Sequence, residues 1–178
     1  MHSAPFPVVC VLTAFGLAVL LSVSYAVSPL SKSADRPLIA WQDRSAVARG
    51  QTLYAAQCAS CHGARGEGQI ERPAGMPLST PLAPPHDGTG HTWQHPDFAL
   101  FQLTKTGLST VACRTLDEAA MPRFGEALSD GEILDILAYI KSRWPDDVLA
   151  EQEATNALYA AHNSALRKQL MSGSQAAR

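Results

Sequence analysis

Apolar positions follow three different patterns along this 178-residue chain. Val8 to Val27 is an almost uninterrupted apolar run without a charged side chain, about the twenty residues that a helix needs to cross a bilayer. Between residues 44 and 145 the apolar side chains recur at three- and four-residue intervals in separate short segments, the mark of amphipathic helices packed on one another. The pattern predicts an all-α domain over 44–145.

Three helices are expected within it. The first covers Arg44 to Gln57, with Val47, Gly50, Leu53 and Tyr54 on helical spacing and Ser45 as the N-cap. A second covers Asp97 to Leu108, with Phe98, Phe101, Gln102 and Lys105 in register, Pro96 at its start and Gly107 as a stop signal. The third and clearest covers Asp130 to Trp144. Ser129 and Glu132 are spaced for a capping box, Ile133, Ile136, Leu137 and Ile140 make one apolar face, and Pro145 ends it. Gly63, Gly66, Gly68 and five prolines between Pro73 and Pro85 predict a long loop between the first two helices.

The flanks divide the chain further. Residues 1–27 are a transmembrane anchor or a signal peptide, because Ser24-Tyr25-Ala26 offers small residues where a signal peptidase reads, yet the run is long and Met1 to Pro7 carry no Lys or Arg. Residues 28–43 are polar and contain Pro29 and Pro37, which reads as a flexible linker. Such a linker spans on the order of 20 to 25 Å. Residues 146–178 form a polar, Ala-rich extension. Leu158, Tyr159, Leu166 and Leu170 give it a patchy apolar face, which predicts one further helix, partly docked or solvated.

Composition narrows the chemistry. The chain is 46% apolar with a net charge of -2, and its Lys and Arg residues are scattered, so no basic stripe for a nucleic acid exists. The informative stretch is Cys58-Ala59-Ser60-Cys61-His62. Two thiols separated by two residues can each add across a vinyl group of a porphyrin, and the histidine that follows can bind the iron from the proximal side. Zinc would need a second pair of ligands, and a redox dithiol would need a βαβ context. Cys10 lies in the apolar run and Cys113 stands alone, so neither requirement is met. Met121, in an irregular stretch just before the third helix, is the candidate for the sixth iron ligand.

With these residues in order, the chain resembles the class I, mono-haem cytochrome c family over roughly residues 44–145. Cys58, Cys61 and His62 match the attachment site, Met121-Pro122 the distal loop, and Ile136-Leu137-Ala138-Tyr139-Ile140-Lys141 the C-terminal helix. The resemblance implies a small cytochrome c fold, helices wrapped around one covalently attached haem c whose iron is held by His62 and Met121. It further implies that Gly50 and Tyr54 meet Ile136 and Tyr139 where the first and last helices cross. A proline carbonyl, from Pro84 or Pro85 with Pro81 not excluded, would accept a hydrogen bond from the second ring nitrogen of His62.

The segment from His86 to His95 looks like membrane-bound relatives with a Gly-His-Thr-Trp element. Trp93 or His91 could reach a haem propionate, or His86, His91 and His95 could bind copper. Cys113 has no obvious partner. Function follows the resemblance: a one-electron carrier of a respiratory or related periplasmic redox chain, not an enzyme, with redox proteins as donor and acceptor and no small-molecule substrate. A haem c subunit of a larger membrane oxidoreductase is the alternative, followed by a copper-handling or redox-sensing protein and by a peroxidase or gas-binding haem protein. Since haem c is attached after export, the expected location is the cell membrane with the haem domain facing the periplasm, or the soluble periplasm after cleavage. The positive charges of Lys32 and Arg36 argue for the opposite orientation.

Overall fold

The three expected helices form close to the predicted bounds, and the differences lie at their ends. The computed structural model describes residues 36–107 and 121–176, with helix as the only regular secondary structure among them. The apolar run at 8–27, the first half of the linker and Cys113 lie outside the described residues, among which no helix is long and apolar enough to cross a membrane.

Helix α1 spans Arg44–Gln57. Its N-cap is Asp43 rather than Ser45: the Asp43 carboxylate accepts from both the backbone N–H and the hydroxyl of Ser45. Cys58 closes α1 and opens a single turn, α2, over Ala59–His62. Helix α3 spans Asp97–Thr106 and stops at Gly107, whose φ of 73° is the left-handed conformation that glycine adopts without strain. Helix α4 spans Asp130–Lys141 with both hydrogen bonds of the Ser129/Glu132 capping box in place. It ends three residues before Trp144, so Pro145 is not its stop but the N-cap of the next helix, α5.

The core is built where α1 crosses α4. Ile133, Ile136, Leu137 and Ile140 are buried against Ala46, Tyr54, Leu100, Phe101 and Phe124. Gly50 makes the crossing possible. A Cβ there would run into the Asp135 carbonyl, 2.5 Å from its carbon, and would lie 3.0 Å from the Tyr139 Cβ. At Gly50 the facing surface is the backbone of Asp135 together with Tyr139, with Ile136 buried in the same core. Tyr54 and Tyr139 pack at 5.2 Å between ring centroids, and Arg49 forks onto the Asp135 carboxylate at 2.6 and 2.9 Å.

The end of the expected linker is part of this unit. Leu38 and Ile39 are buried, and the Ile39 N–H faces the Asp97 carboxylate at 3.4 Å. Two adjacent apolar residues in an irregular turn carry no periodicity, so sequence spacing could not separate them from a tether.

The extension departs furthest from expectation. It is two helices, α5 over Asp146–Leu158 and α6 over Ala160–Ala176, broken at Tyr159. Helix α5 is docked, largely through polar side chains. Gln152 and Asn156 are buried and reach Asp97 Oδ1 at 2.8 and 3.1 Å, and Lys141 Nζ reaches the same oxygen at 3.3 Å. Asp97 is 1% exposed and Lys141 is fully buried. The second charge partner of Lys141 is Glu153, at 2.6 Å. Pro96 supplies no side-chain cap to α3, and the extension does so instead: Asn156 Oδ1 accepts from the Asp97 N–H and Asn163 Oδ1 from the Phe98 N–H. Tyr159, Leu166 and Leu170 pack against Leu38, Phe98 and Ala99, whereas Leu158 is exposed.

Two substitutions probe these contacts. Gly50→Ala should lose about 1 to 3 kcal/mol of stability in denaturant titration, because backbone cannot yield as a side-chain tip does. Asp97→Ala should cost about 1 to 3 kcal/mol, since it leaves the buried Gln152 and Asn156 amides without their shared acceptor and Lys141 with Glu153 as its one charge partner among the described residues, while Asp146→Ala at the start of α5 should be nearly silent.

Candidate functional site

The end of α1 delivers the attachment residues to one place. The Cys58 N–H bonds to the Tyr54 carbonyl, and the His62 N–H to that of Cys58, so helical geometry continues through both cysteines into the histidine. Cys58 is buried and Cys61 exposed, and the two thiols are not joined as a disulfide. Burial, assisted by the adjacent Cys61, pushes the Cys58 thiol up to about 11. A redox dithiol has the opposite tendency, because its nucleophile is the thiolate.

His62 is buried and held by its ring. Its Nδ1 lies 2.9 Å from the Pro84 carbonyl oxygen, which selects Pro84 over Pro85 and Pro81. A carbonyl only accepts, so the proton is on Nδ1 and the lone pair is on Nε2. Burial lowers the pKa of His62 below the ordinary imidazole value, against the opposing effect of the Pro84 hydrogen bond, which favours the neutral ligand form.

The loop that supplies Pro84 is braced by glycines. Gly68 donates to the His62 carbonyl at 2.7 Å, and Gly66 accepts from the His86 and Asp87 N–H groups. A Cβ on Gly68 would lie 2.7 Å from the Pro85 nitrogen, and its φ of 75° is itself unfavourable for other residues. Beyond this point residues 69–83 form an excursion with a closed neck. Gln69 N–H donates to the Ala83 carbonyl at 3.0 Å and Ala83 N–H to Gln69 Oε1 at 2.9 Å. Arg72 spans its interior to the Pro77 and Thr80 carbonyls, both at 2.7 Å, while Ile70 and Leu78 are exposed.

The histidine-rich segment divides rather than converges. His86 stacks on His62, with 3.9 Å between ring centroids and 23° between planes. His91 instead packs edge-on against His95 at 5.7 Å. Among the described residues no three His, Cys, Asp or Glu side chains are placed to hold a metal ion, so the alternative of a copper site at His86, His91 and His95 finds no support. Burial pushes the His86 pKa down to about 3, with His62 and His91 adding to the effect. Sequence reasoning missed the stacking partner itself, as well as Thr92, whose hydroxyl holds the His86 ring, and the Trp144 indole, which donates to the His86 carbonyl at 2.8 Å. Trp144 reads only as the end of a helix, and spacing carries no sign of this second role.

Met121 is half-buried and packs against the main core, just ahead of the turn at Phe124–Glu126 that leads into α4. Trp93 packs against the same core, and its indole Nε1 is buried without a hydrogen-bond partner. An unmatched buried donor costs about 1 to 3 kcal/mol. It therefore signals a missing acceptor, as a propionate would be. Two unpaired thiols, a neutral imidazole with an available lone pair, a thioether and an unmatched indole N–H together fit haem c.

No curated protein and no solved structure matches the chain. The sequence profile of one family, cytochrome c, matches residues 47–144, a stretch that includes Cys58, Cys61, His62, Met121 and the α1–α4 crossing. The chain belongs to the cytochrome c family, whose members hold haem c covalently and typically carry electrons rather than act as enzymes.

Proposed function

We propose that this chain is a one-electron carrier of a respiratory or related periplasmic redox chain, with Cys58 and Cys61 attaching haem c and His62 and Met121 as the axial ligands. The observation that carries the reading is the buried His62 imidazole, whose Nδ1–H is committed to Pro84 and whose Nε2 lone pair is thereby left for iron. Haem c, when bound, supplies the ferrous/ferric couple.

The chain's own residues limit what that couple does. His62 and Met121 are the residues that would hold the iron, and with both bound no position would be open to a substrate. The Met121 thioether, neutral and soft, favours the reduced state and raises the potential. The α1–α4 clamp and the Pro84 hydrogen bond hold the proximal side in one arrangement, which keeps reorganisation small. Trp93 would donate to a propionate and so meet its buried hydrogen-bonding need.

Residues 1–27 hold the protein at the cell membrane with the haem domain in the periplasm, or are cleaved to release it there. Because the folded unit begins at Pro37, the tether is shorter than the 28–43 linker. Donor and acceptor are redox proteins. Membership of a larger oxidoreductase is the alternative reading, yet α5 turns Gln152 and Asn156 into its own domain rather than toward a partner.

Optical spectra of the matured protein test the ligands. The wild type should be low-spin in both oxidation states with a weak long-wavelength methionine-to-iron band in the ferric form, and Met121→Ala should abolish that band and lower the potential. A high-spin wild type, or an unchanged mutant, sinks the assignment. Trp93→Phe separates a bonded indole from an orphan. Loss of a hydrogen bond to a propionate should destabilise the haem-loaded protein by about 1.5 to 3 kcal/mol, whereas removal of an unmatched N–H would stabilise it.

A further inference from the structure

His86 is placed on the proximal side for a purpose that attachment and ligation do not explain. Its ring lies nearly parallel to that of His62, with 3.9 Å between centroids, which is face-to-face contact. The residue is also tied down through its backbone and through one ring nitrogen. The backbone N–H of His86 donates to the Gly66 carbonyl at 2.7 Å, and its carbonyl accepts from the Trp144 indole at 2.8 Å. Its Nδ1 lies 2.9 Å from Thr92 Oγ1, whose hydroxyl donates to the Pro85 carbonyl at 3.3 Å. With the Thr92 proton so engaged, His86 Nδ1 is the donor of that pair.

We propose that His86 is a positioning residue for His62: the flat face of its ring sets the plane in which the proximal imidazole meets iron. The proposal rests on the reading of His62 as the proximal ligand. A single hydrogen bond to a carbonyl defines an imidazole plane loosely, because the acceptor directions at a carbonyl oxygen are broad. A second ring in contact with the whole face removes that freedom, and its own edge is pinned by Thr92. The plane matters because the imidazole π orbital overlaps the iron d orbitals that lie along it, and so fixes the in-plane asymmetry of the ferric ion.

The test uses the full haem-loaded protein and reads ferric g values by electron paramagnetic resonance together with the order of the shifted haem-methyl proton resonances. Wild type is compared with His86→Leu, which keeps bulk but removes the flat face, and with His86→Phe, which restores the face without the nitrogens. The proposal expects altered g values and a reordered methyl pattern in the leucine variant, and a clearly smaller displacement in the phenylalanine variant, which keeps the face but loses the bond to Thr92. A role in stability alone would lower the unfolding midpoint of the leucine variant and leave both signatures unmoved, which overturns the proposal. A phenylalanine variant displaced as far as the leucine variant overturns it as well. Thr92→Val keeps the test decisive if His86→Leu does not mature: it releases the ring edge, so a shift in the same direction supports the proposal and an unchanged spectrum overturns it. A wild-type protein that is not low-spin would fail earlier, on the ligand assignment itself.

Discussion

A carboxylate that is almost wholly buried has to collect donors, and Asp97 collects them from distant parts of the sequence. Lys141 comes from the end of α4, Gln152 and Asn156 from α5, and the Ile39 N–H from the segment ahead of α1. None of these groups could be withdrawn cheaply. The same helix terminus needs acceptors for its first N–H groups, and Asn156 and Asn163 provide them, so charge and backbone polarity are satisfied by one convergence. The C-terminal extension is for this reason part of the haem-binding fold and not an appendage to it.

That convergence reaches His62 through a short series of polar contacts. Gln152 also donates to the His95 carbonyl at 3.2 Å, at the end of the turn that carries Thr92 and Trp93. Thr92 bonds the Pro85 carbonyl and the His86 ring, and the neighbouring Pro84 carbonyl accepts the hydrogen bond of His62. The α1–α4 crossing fixes the other side of the same histidine, since α1 runs directly into Cys58 and the turn that ends at His62. The imidazole is thus positioned between a helix crossing closed by the absence of a side chain at Gly50 and a loop closed by buried polar groups.

These two halves differ in how far they could be read from the sequence. The bounds of α1, the capping box of α4 and the order of Cys58, Cys61, His62 and Met121 rest on local chemistry or on spacing, and both are visible in one dimension. The docking of α5 is not, because Gln152 and Asn156 look solvated in a hydrophobicity pattern and owe their burial to a carboxylate more than fifty residues away. The cap of α1 lies two residues ahead of the expected one because Asp43 and Ser45 both have capping chemistry and are bonded to each other. The copper alternative finds no support for a related reason: proximity along the chain says nothing about which way rings face, and here they divide into two separate pairs.

The closed neck at Gln69 and Ala83 has an evolutionary consequence. A loop whose ends are already joined by two hydrogen bonds transmits little of its length to the residues on either side, and each doubling of a flexible loop adds only about 0.6 kcal/mol of closure entropy. Insertions and deletions between these two residues would leave the Pro84 carbonyl, one residue beyond the neck, where it is. The excursion bearing Ile70 and Leu78 is therefore open to diversification, able to change what the protein presents to its surroundings without displacing the carbonyl that holds His62.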